Sequence, residues 1–538
     1  MSKKKIIKDA VHGYIEIDEL FVSIIDTIEF QRLKWIEQGS FRVLYPSARH
    51  DRFVHSLGTY HIAKSLIDSF FSNISIDVGI QMDKKEKEAL KTSFLYAALL
   101  HDIGHAPFSH TCENYYKLEQ VDDQLKIDYD LVLSIQAIEG IGKEKKERFV
   151  SEYKEVKPNS HEIISASILV KYASNFLKDR IDEVDLELSA RMVIGCTYKC
   201  NSEDNAIVGV KNCLIRLLNS ESIDVDKLDY ITRDAKMSGF DNTPIDIYRI
   251  AHSVSAIKYT YEDLLPAFRK NALSIIDNVF KAKNDESQWI ISHPVVVYDA
   301  ALLKACIEKI ASLESKGSSD DFIKSVFSIE ALSKIGISPD KGGLKLLSDI
   351  DILSKFKLHM TEELINEYFE RRCRRHAVWK SYSEYSYLFK QSDPPKSLDI
   401  IFRFFSPLIG YLQTSKIFAL NDDVLKKIET DKENDRILKA ASKLKEYAEQ
   451  AKIPFDFVLL NTSSAFSAKI SPERIYINFP NLPQRNISEC TYAFIRNMSG
   501  SDGENSELNY FYLYAREAQN YSALTKVFLD IVREGKRT

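Results

Sequence analysis

The sequence predicts a mainly helical protein that carries a smaller α+β lobe at its C-terminal end. Only 18 glycines and 14 prolines interrupt the 538 residues, which favours long helices. Segments rich in β-branched and aromatic residues, which favour strands, gather after about residue 435. A chain of this length exceeds a single hydrophobic core. We therefore expect a helical body over residues 1–430 and an α+β lobe over residues 431–538.

Individual elements are predicted from apolar spacing and from caps. The segments Arg32–Ile36 and Phe94–Leu100 have the pattern of helices. Asn159 is predicted to cap a helix that begins at Ser160. The β-branched residues of Val11–Ile17 predict an extended chain. In the last lobe, three strands and a final helix are predicted at Phe455–Leu460, Arg474–Phe479, Tyr510–Tyr514 and about Gln519–Arg533.

Composition excludes several classes of protein. Hydrophobic residues make up 44% and charged residues 28%, as in a soluble globular protein. The net charge of -5 argues against nucleic acid as the main partner, because proteins that bind polyanions are usually basic. Apolar runs such as Phe94–Leu100 are too short to span a bilayer, so no membrane is expected. The seven scattered cysteines predict free thiols in a reducing cytoplasm.

Histidines are concentrated near the start of the chain. Seven of the twelve lie within the first 110 residues, and the densest group is His101–His110, directly after an apolar helix. His101 and Asp102 are adjacent and can reach one cation, and His105 would share the face of His101 if the helix continued that far. Imidazole and carboxylate together suit Mn, Fe, Zn or Ni, with Mg also possible if oxygen ligands dominate.

Two further residues are candidates to complete such a metal site. They are His55, in the segment His50–Gly58, and Asp226, which follows Asp224 by two residues. The alternative for the neighbouring Asp224 and Asp229 is that they are solvated charges around a helix start. That alternative does not suit His101, Asp102 and His105, which would be buried polar groups without a purpose. The combined pattern therefore favours a metal site.

Five segments together resemble the deoxynucleoside triphosphate triphosphohydrolases of the HD superfamily. They are Lys8–Glu16, Ile25–Leu33, His50–Gly58, His101–His110 and Asp224–Asp234. The likeness is greatest to the branch that contains the mammalian SAM- and HD-domain enzyme and bacterial dGTPase-like proteins. It covers roughly the first 300 residues well and continues weakly into the last lobe. The resemblance implies an HD-domain helical body and a reaction in which water attacks the α-phosphorus of a dNTP, giving a deoxynucleoside and inorganic triphosphate.

The resemblance also implies a role for particular residues. The metal ligands would be His55, His101, Asp102 and Asp226. The catalytic group would be His105, His110, Glu113 and His161, with His110 as the general acid that protonates the poor leaving group. Phosphate contacts would come from Arg52, Lys227 and Lys283, and sugar contacts from Gln38, Tyr230 and Asp234. For the three cations the alternative is a solvated surface.

Two positions depart from the family pattern. Glu113 stands where the family usually has Asp, which moves the carboxylate outward by one methylene. Ile291 stands where the family carries a tyrosine against the sugar. An isoleucine fills less space, so the pocket could admit ribonucleotides unless Trp289 or Tyr298 restores its wall. We expect a preference for dNTPs that is less sharp than in tyrosine-bearing relatives.

A possible regulatory site is implied by the resemblance as well. Lys5, Asp26, Gln31 and Lys34 match positions that bind an activating guanine nucleotide, and Lys34 replaces an arginine. The alternative is that Asp26 and Gln31 only cap and solvate the first helix. The resemblance further implies a homo-oligomer, either a dimer or a tetramer, and a role in nucleotide-pool control or in antiphage defence.

The residues leave other functions open. A different HD phosphohydrolase, such as a nucleotidase or a cyclic-nucleotide phosphodiesterase, would use the same metal ligands but would not release triphosphate. A nucleotide-binding sensor would bind dNTPs with little turnover. The nearly complete set of histidines and aspartates favours the enzyme.

Overall fold

The computed structural model describes residues 4–200, 206–240, 243–260, 263–315, 319–327, 347–390, 394–430, 435–462, 470–479, 482–483, 485–490, 510–517 and 520–535. Two compact units share the chain. The first contains Met1–Glu286, Asp320–Ile352 and Ala468–Asp502, and the second contains Ser287–Ser319, Leu353–Ser467 and Gly503–Thr538. The chain passes between these two units several times, and the domain boundary expected at residue 430 stays a prediction.

The first unit is mostly helical, as the sequence predicts. Its helices are Glu19–Ile25, Ile28–Gln31, Arg52–Asp77, Lys84–Leu100, Lys126–Gln136, Lys143–Tyr153, Ser160–Lys171, Ala173–Leu177, Leu186–Ile194, Ala206–Leu218, Val225–Ser238, Ile247–Ser253, Leu273–Asp285, Ser319–Phe327 and Ile487–Cys490. A helix at Asp349–Leu358 passes from the first unit into the second. The predicted helix at Arg32–Ile36 is a 3₁₀ turn, Arg32–Trp35.

The helix Arg52–Asp77 lies at the centre of the first unit. It packs against the helices Lys84–Leu100, Val225–Ser238 and Ile247–Ser253 and against the strand Val254–Lys258. Its apolar side chains are buried on more than one face, since it has neighbours on several sides. This central position brings its first turn close to the ends of two other helices.

The first unit also contains small sheets. Lys5–Asp9 and Gly13–Ile17 form an antiparallel hairpin, which confirms the extended chain predicted there. A four-stranded sheet has the order Arg485–Asn486, Tyr476–Asn478, Leu264–Arg269 and Val254–Lys258. Tyr476–Asn478 confirms the predicted strand and pairs in parallel with Leu264–Arg269, at Ala267 opposite Tyr476.

The second unit combines helices with one three-stranded antiparallel sheet. Its helices are Pro294–Glu314, Glu363–Phe369, Tyr382–Phe389, Pro394–Thr414, Asp422–Thr430, Asp435–Ala451 and Tyr521–Gly535. The sheet has the order His376–Ala377, Phe511–Ala515, Val458–Asn461. The predicted strands near residues 455–460 and 510–514 and the final helix are therefore confirmed.

Among the described residues, no single helix has the length and apolarity to cross a membrane, although the bent pair Lys270–Ile291 and Pro294–Glu314 meets that test jointly by length and composition alone. The cysteines whose side chains are described form no disulfide bond with one another: they are Cys112, Cys196, Cys200, Cys213 and Cys306.

Candidate metal centre and active site

Three helix ends meet in the first unit and bring together the four expected metal ligands. His55 lies in the first turn of Arg52–Asp77, whose cap is the Asp51 side chain. His101 and Asp102 directly follow the helix Lys84–Leu100, which starts with a capping box at Asp83 and Glu86. Asp226 lies in the first turn of Val225–Ser238, which is capped by Asp224. Capping thus fixes where all three helices begin.

The donor atoms of these residues converge on one point. His55 Nε2 lies 3.2 Å from His101 Nε2 and 2.9 Å from Asp226 Oδ1. His101 Nε2 lies 3.4 Å from the same Asp226 oxygen. The carboxylate of Asp102 adds oxygens 3.5 Å from His55 Nε2 and 3.6 Å from His101 Nε2. His55, His101 and Asp226 form a group able to hold a metal ion.

The hydrogen bonds on the far side of both imidazoles fit a bound cation. His55 Nδ1 pairs with Asp229 Oδ2 at 2.8 Å, and His101 Nδ1 pairs with the carbonyl of Ala98 at 2.9 Å. Both partners are acceptors, so Nδ1 donates in each ring and Nε2 faces the common point. Burial lowers the pKa of His55, but the hydrogen bonds with Asp226 and Asp229 outweigh burial and raise it to about 10. A cation at the common point would take the place of the Nε2 proton. Ligands about 2.1 Å from one ion and at right angles stand about 3 Å apart, which agrees with the observed spacing.

A buried network supports these ligands from behind. Asp229 is fully buried and accepts hydrogen bonds from His55, from His12 at 2.5 Å and from Arg233 at 2.8 and 3.0 Å. Arg233 also donates to Asp9 at 2.9 Å. Burial raises the pKa of Asp229, but the charge of Arg233 and the donated hydrogen bonds outweigh burial and hold it well below its usual value. Asp229 therefore orients His55 as an anion.

Sequence reasoning did not assign this network. Asp229 was open to interpretation as a solvated charge, as was Asp224, but both are buried, so that interpretation is wrong. One signal was available at Gly58: a Cβ there would stand 1.9 Å from Asp229 Oδ1. The glycine is needed because the aspartate approaches the helix backbone so closely.

A second cluster contains the histidines expected to act in catalysis. The rings of His105 and His161 stack with centroids 4.2 Å apart and an angle of 14°. His110 lies 4.9 Å from His105 and 5.2 Å from His161 by ring centroids. Glu113 bridges the last two, with 2.9 Å to His110 Nδ1 and 2.8 Å to His161 Nδ1. Glu113 therefore fixes both rings despite its extra methylene.

The chain leaves its helix before His105. The helix ends at Leu100, so the expectation that His101 and His105 share a helical face is wrong. The turn that follows approaches the helix Ser160–Lys171 so closely that a Cβ on Gly104 would stand 2.5 Å from Ser165 N. This approach places His105 against His161 instead of beside His101.

The pKa values of the three histidines in this cluster shift in different directions. Burial lowers the pKa of His161, but the Glu113 carboxylate outweighs burial and raises it to about 9. Burial lowers the pKa of His110 despite its hydrogen bond with Glu113. Burial and the charge of Arg52 hold the pKa of His105 well below its usual value. At neutral pH His161 is therefore the protonated histidine of the three.

The expected phosphate-binding cations are all buried, so the interpretation as solvated surface is wrong. Arg52 donates to Asp102 at 2.7 Å and to the carbonyl of Gln38 at 3.1 Å. Lys227 and Lys283 each pair with an acid three residues away in sequence, Asp224 at 2.5 Å and Glu286 at 2.7 Å respectively. Lys283 also lies 4.6 Å above the ring of Tyr230. Each cation is thus held by a carboxylate in the free protein.

Some buried polar atoms around this group have no hydrogen-bond partner within the described ranges. These atoms belong to three residues: they are Gln38 Oε1, Tyr230 Oη and the two ring nitrogens of His105, four atoms in all. Buried polar groups are rarely left unpaired, so such atoms indicate a site that receives a ligand or water. Asp234, in contrast, pairs with His50 at 2.6 Å.

One expected sugar contact and its possible substitutes lie in the second unit. Ile291 is half-buried at the end of the π-helical turn Glu286–Ile291, and its role toward a sugar stays a prediction. Trp289 is 45% exposed. Tyr298 is buried, hydrogen-bonded to Glu367 and packed on Tyr514, so these contacts disfavour a swing of its ring.

The expected regulatory residues form two surface pairs in the first unit. Lys5 Nζ bonds Asp26 Oδ1 at 2.7 Å, and Lys34 Nζ bonds Gln31 Oε1 at 2.7 Å. The Gln31 amide in turn donates to the carbonyl of Ile25 at 2.6 Å. The alternative role in solvating the first helices fits these contacts as well as a nucleotide site does.

Comparison with known proteins assigns one part of the chain to a family of domains. Residues 52–234 match the family model of the HD domain. The matched range contains all four expected metal ligands and the histidine cluster. Residues 52–234 are therefore an HD domain, which agrees with the HD superfamily that the five sequence segments indicated.

Two relatives show which proteins the sequence is similar to. The chain is 41% identical over 108 residues to the deoxynucleoside triphosphate triphosphohydrolase SAMHD1 of Xenopus laevis, covering 20% of this chain and 16% of that protein. It is 26% identical over 319 residues to an uncharacterised protein of Bacillus subtilis, covering 59% of this chain and 58% of that one. The chain thus spans less than two thirds of either relative.

A solved structure supports the fold. A phosphohydrolase from Bacteroides thetaiotaomicron superposes with a TM-score of 0.54 at 18% identity and covers 96% of this chain and 100% of its own. At this identity the likeness concerns the fold alone.

Proposed function

We propose that this protein is a metal-dependent phosphohydrolase that converts deoxynucleoside triphosphates to deoxynucleosides and inorganic triphosphate. The observation that carries the proposal is the juxtaposition of two clusters. Four metal-binding side chains converge on one point, and three histidines bridged by Glu113 lie beside them, since His105 Nε2 is 3.6 Å from Asp102 Oδ1. The likeness to SAMHD1 over the HD region supports the same substrate class.

The metal would be held by His55, His101, Asp102 and Asp226. When bound, a divalent cation there would acidify a water molecule and neutralise charge on the phosphate. Mixed nitrogen and oxygen donors favour Mn, Fe, Zn or Ni, and Mg could accompany the triphosphate. The hydrogen bond that His55 Nδ1 donates to Asp229 leaves Nε2 facing the metal point, so this ring needs no reorientation to bind.

Protonation of the leaving group is assigned to His110. A nucleoside 5′-alkoxide is a poor leaving group, and histidine titrates near the working pH. Triphosphate bound beside His110 raises its pKa, because a nearby anion favours the charged form. Glu113 accepts from both His110 and His161 and so holds the donor ring in place, while the protonated His161 balances the charge of Glu113. Protonation of His110 is therefore coupled to substrate binding.

The three buried cations bind the triphosphate. Arg52, Lys227 and Lys283 already lie in place, but each is neutralised by its own carboxylate. Burial and the neighbouring Asp234 raise the pKa of Glu286 to about 7, although Lys283 opposes this shift. Glu286 can therefore take up a proton as Lys283 turns its charge toward phosphate.

Product analysis tests the proposal. Purified protein loaded in turn with Mn, Fe, Zn, Ni or Mg is incubated with each dNTP in water enriched in ¹⁸O. We expect triphosphate that carries the label and a deoxynucleoside that does not, because water attacks phosphorus. His110→Gln should lose activity by about 100-fold or more. The matched control is His252→Gln, an exposed histidine bonded to Ser69, which should turn over at the wild-type rate.

The other outcomes separate the alternatives. Release of phosphate or pyrophosphate would identify a nucleotidase, and hydrolysis of cyclic nucleotides alone would identify a phosphodiesterase. Saturable dNTP binding without any product, under every metal and activator, would identify a sensor. Each of these results would overturn the triphosphohydrolase proposal.

Regulation by a nucleotide and assembly into a dimer or tetramer are part of the proposal. Lys5, Asp26, Gln31 and Lys34 supply charged and amide groups on one surface of the first unit, as an activating nucleotide would require. Rate and solution mass are measured with and without each nucleotide. A constant mass and an unchanged rate with all nucleotides would contradict the proposed regulation by a nucleotide and the assembly linked to it. Free cysteine thiols suit a reducing cytoplasm, where dNTP-pool control or antiphage defence would operate.

A further inference from the structure

The turn that carries His110 has an unusual backbone. Phe108 and Ser109 have φ values of 58° and 52°, in the left-handed region that non-glycine residues rarely adopt. Such residues are strained and persist only where surrounding contacts hold them. Because the second of the two directly precedes His110, relaxation of this pair would move the imidazole.

One buried carboxylate holds this turn. Asp349 Oδ1 accepts from the backbone N–H of Phe108 at 2.6 Å, and Asp349 Oδ2 accepts from the backbone N–H of Glu37 at 3.0 Å. Asp349 is 5% exposed. Its two oxygens therefore tie together two loops that are about 70 residues apart. Burial raises the pKa of this carboxyl group to about 7, against the two backbone hydrogen bonds.

Further hydrogen bonds connect the loop at Glu37, the turn at Phe108–Ser109 and the segment that carries Asp349. Ser109 Oγ donates to the carbonyl of Glu37 at 2.6 Å, and Arg52 Nε donates to Ser109 Oγ at 3.0 Å. The Arg32 guanidinium donates to the carbonyls of Leu347 and His105. The segment that carries Asp349 is thus joined to the turn on both sides of Phe108.

We propose that Asp349 is a positioning residue for His110, because its carboxylate holds the left-handed pair Phe108–Ser109 and so sets the place of the proton donor. The inference rests on the proposed function, since it concerns the donor in that reaction. Asp349 touches neither His110 nor the metal ligands, so it acts only through the backbone of the turn.

The variant Asp349→Asn tests this role with little change of volume. Its amide group can accept through one oxygen only, so one of the two backbone N–H groups loses its partner. The matched control is Asp351→Asn, in the same first helical turn, whose carboxylate accepts only local hydrogen bonds from Ser348. A rescue variant combines Asp349→Asn with Phe108→Gly, because glycine adopts positive φ without steric cost.

The first measurement is amide hydrogen exchange in the segment 103–112, which does not require activity. Asp349→Asn should speed exchange at residues 108–110 by about 10-fold or more, since a lost hydrogen bond of about 1.4 kcal/mol corresponds to that factor. Asp351→Asn should leave it unchanged, and added Phe108→Gly should restore protection. Equal exchange in Asp349→Asn and Asp351→Asn would overturn the proposal.

The second measurement is steady-state hydrolysis of a dNTP by the metal-loaded enzyme. A displaced proton donor should lower kcat by about 10- to 100-fold with KM within about 3-fold, because the loss falls on the transition state. Metal content should stay stoichiometric, and Phe108→Gly should recover part of kcat. Equal losses in kcat and affinity, without rescue, would mean a merely structural role and overturn the proposal. If the wild type released no triphosphate, the proposed function would fail while the exchange result still decided whether Asp349 holds the turn.

Discussion

Replacing Asp229 with asparagine isolates the contribution of the network behind the metal site. The side chain is fully buried and accepts from His12, His55 and Arg233. Asparagine keeps the volume but removes the charge, and its NH₂ group faces donors to which it cannot bond. The variant therefore weakens the orientation of His55 without touching any metal-binding atom.

The structure indicates how much Asp229→Asn should lower the free energy of unfolding and the affinity for metal. Breaking a buried ion pair costs about 3–5 kcal/mol. Arg233 keeps a second partner in Asp9 at 2.9 Å, so we expect a loss of unfolding free energy near the lower limit, about 3 kcal/mol. Loss of the carboxylate behind a metal-binding histidine lowers metal affinity by about 10- to 100-fold, which equals about 1.4–2.8 kcal/mol.

Two assays separate stability from metal binding. Urea unfolding of the metal-free protein gives the first quantity, and competition with a chromophoric chelator gives the metal Kd. The matched control is Asp224→Asn, a buried carboxylate on the same helix that pairs with Lys227 instead of a histidine. It should destabilise the fold but leave the metal Kd within about 3-fold, well below the loss expected behind a metal ligand. Asp229→Asn with reduced stability and an unchanged Kd would refute the reasoning.

Three further predictions concern the reaction. His101→Ala and Asp102→Ala should each lose metal and activity by more than about 100-fold, and stoichiometric metal in both would contradict the ligand assignment. Glu113→Gln should lower kcat by about 100-fold or more. His161 has a pKa raised from 6.5 to about 9, so its contribution to stability is full below pH 6.5 and is lost as the pH rises through 9. Glu113→Gln should flatten this fall of Tm, and an unaltered slope would exclude the pairing as its cause. Ile291→Tyr should lower kcat/KM for an rNTP relative to its dNTP, and an unchanged ratio would remove Ile291 from the sugar site.

The sequence by itself determined the fold class and predicted which residues meet at the candidate metal site. Helical spacing and caps predicted helices at Lys84–Leu100 and Ser160–Lys171, because these signals are local. Imidazole and carboxylate groups at His55, His101 and Asp226 identify themselves by their chemistry, and their convergence agrees with expectation. Such features can be predicted because each depends on residue type and short spacing.

Only the tertiary structure decided what supports those residues. Asp229 and Asp349 are ordinary aspartates in the sequence, and their roles arise from burial and from partners hundreds of residues away, such as His12 and Phe108. The end of the helix at Leu100 separates His101 from His105, which a periodic pattern could not reveal. Likewise, the predicted strand at Tyr476–Asn478 joins the sheet of the first unit although it lies near the C-terminus. Packing sets these relations, because the free energy of a buried charge or of a strand edge depends on what the rest of the chain places beside it.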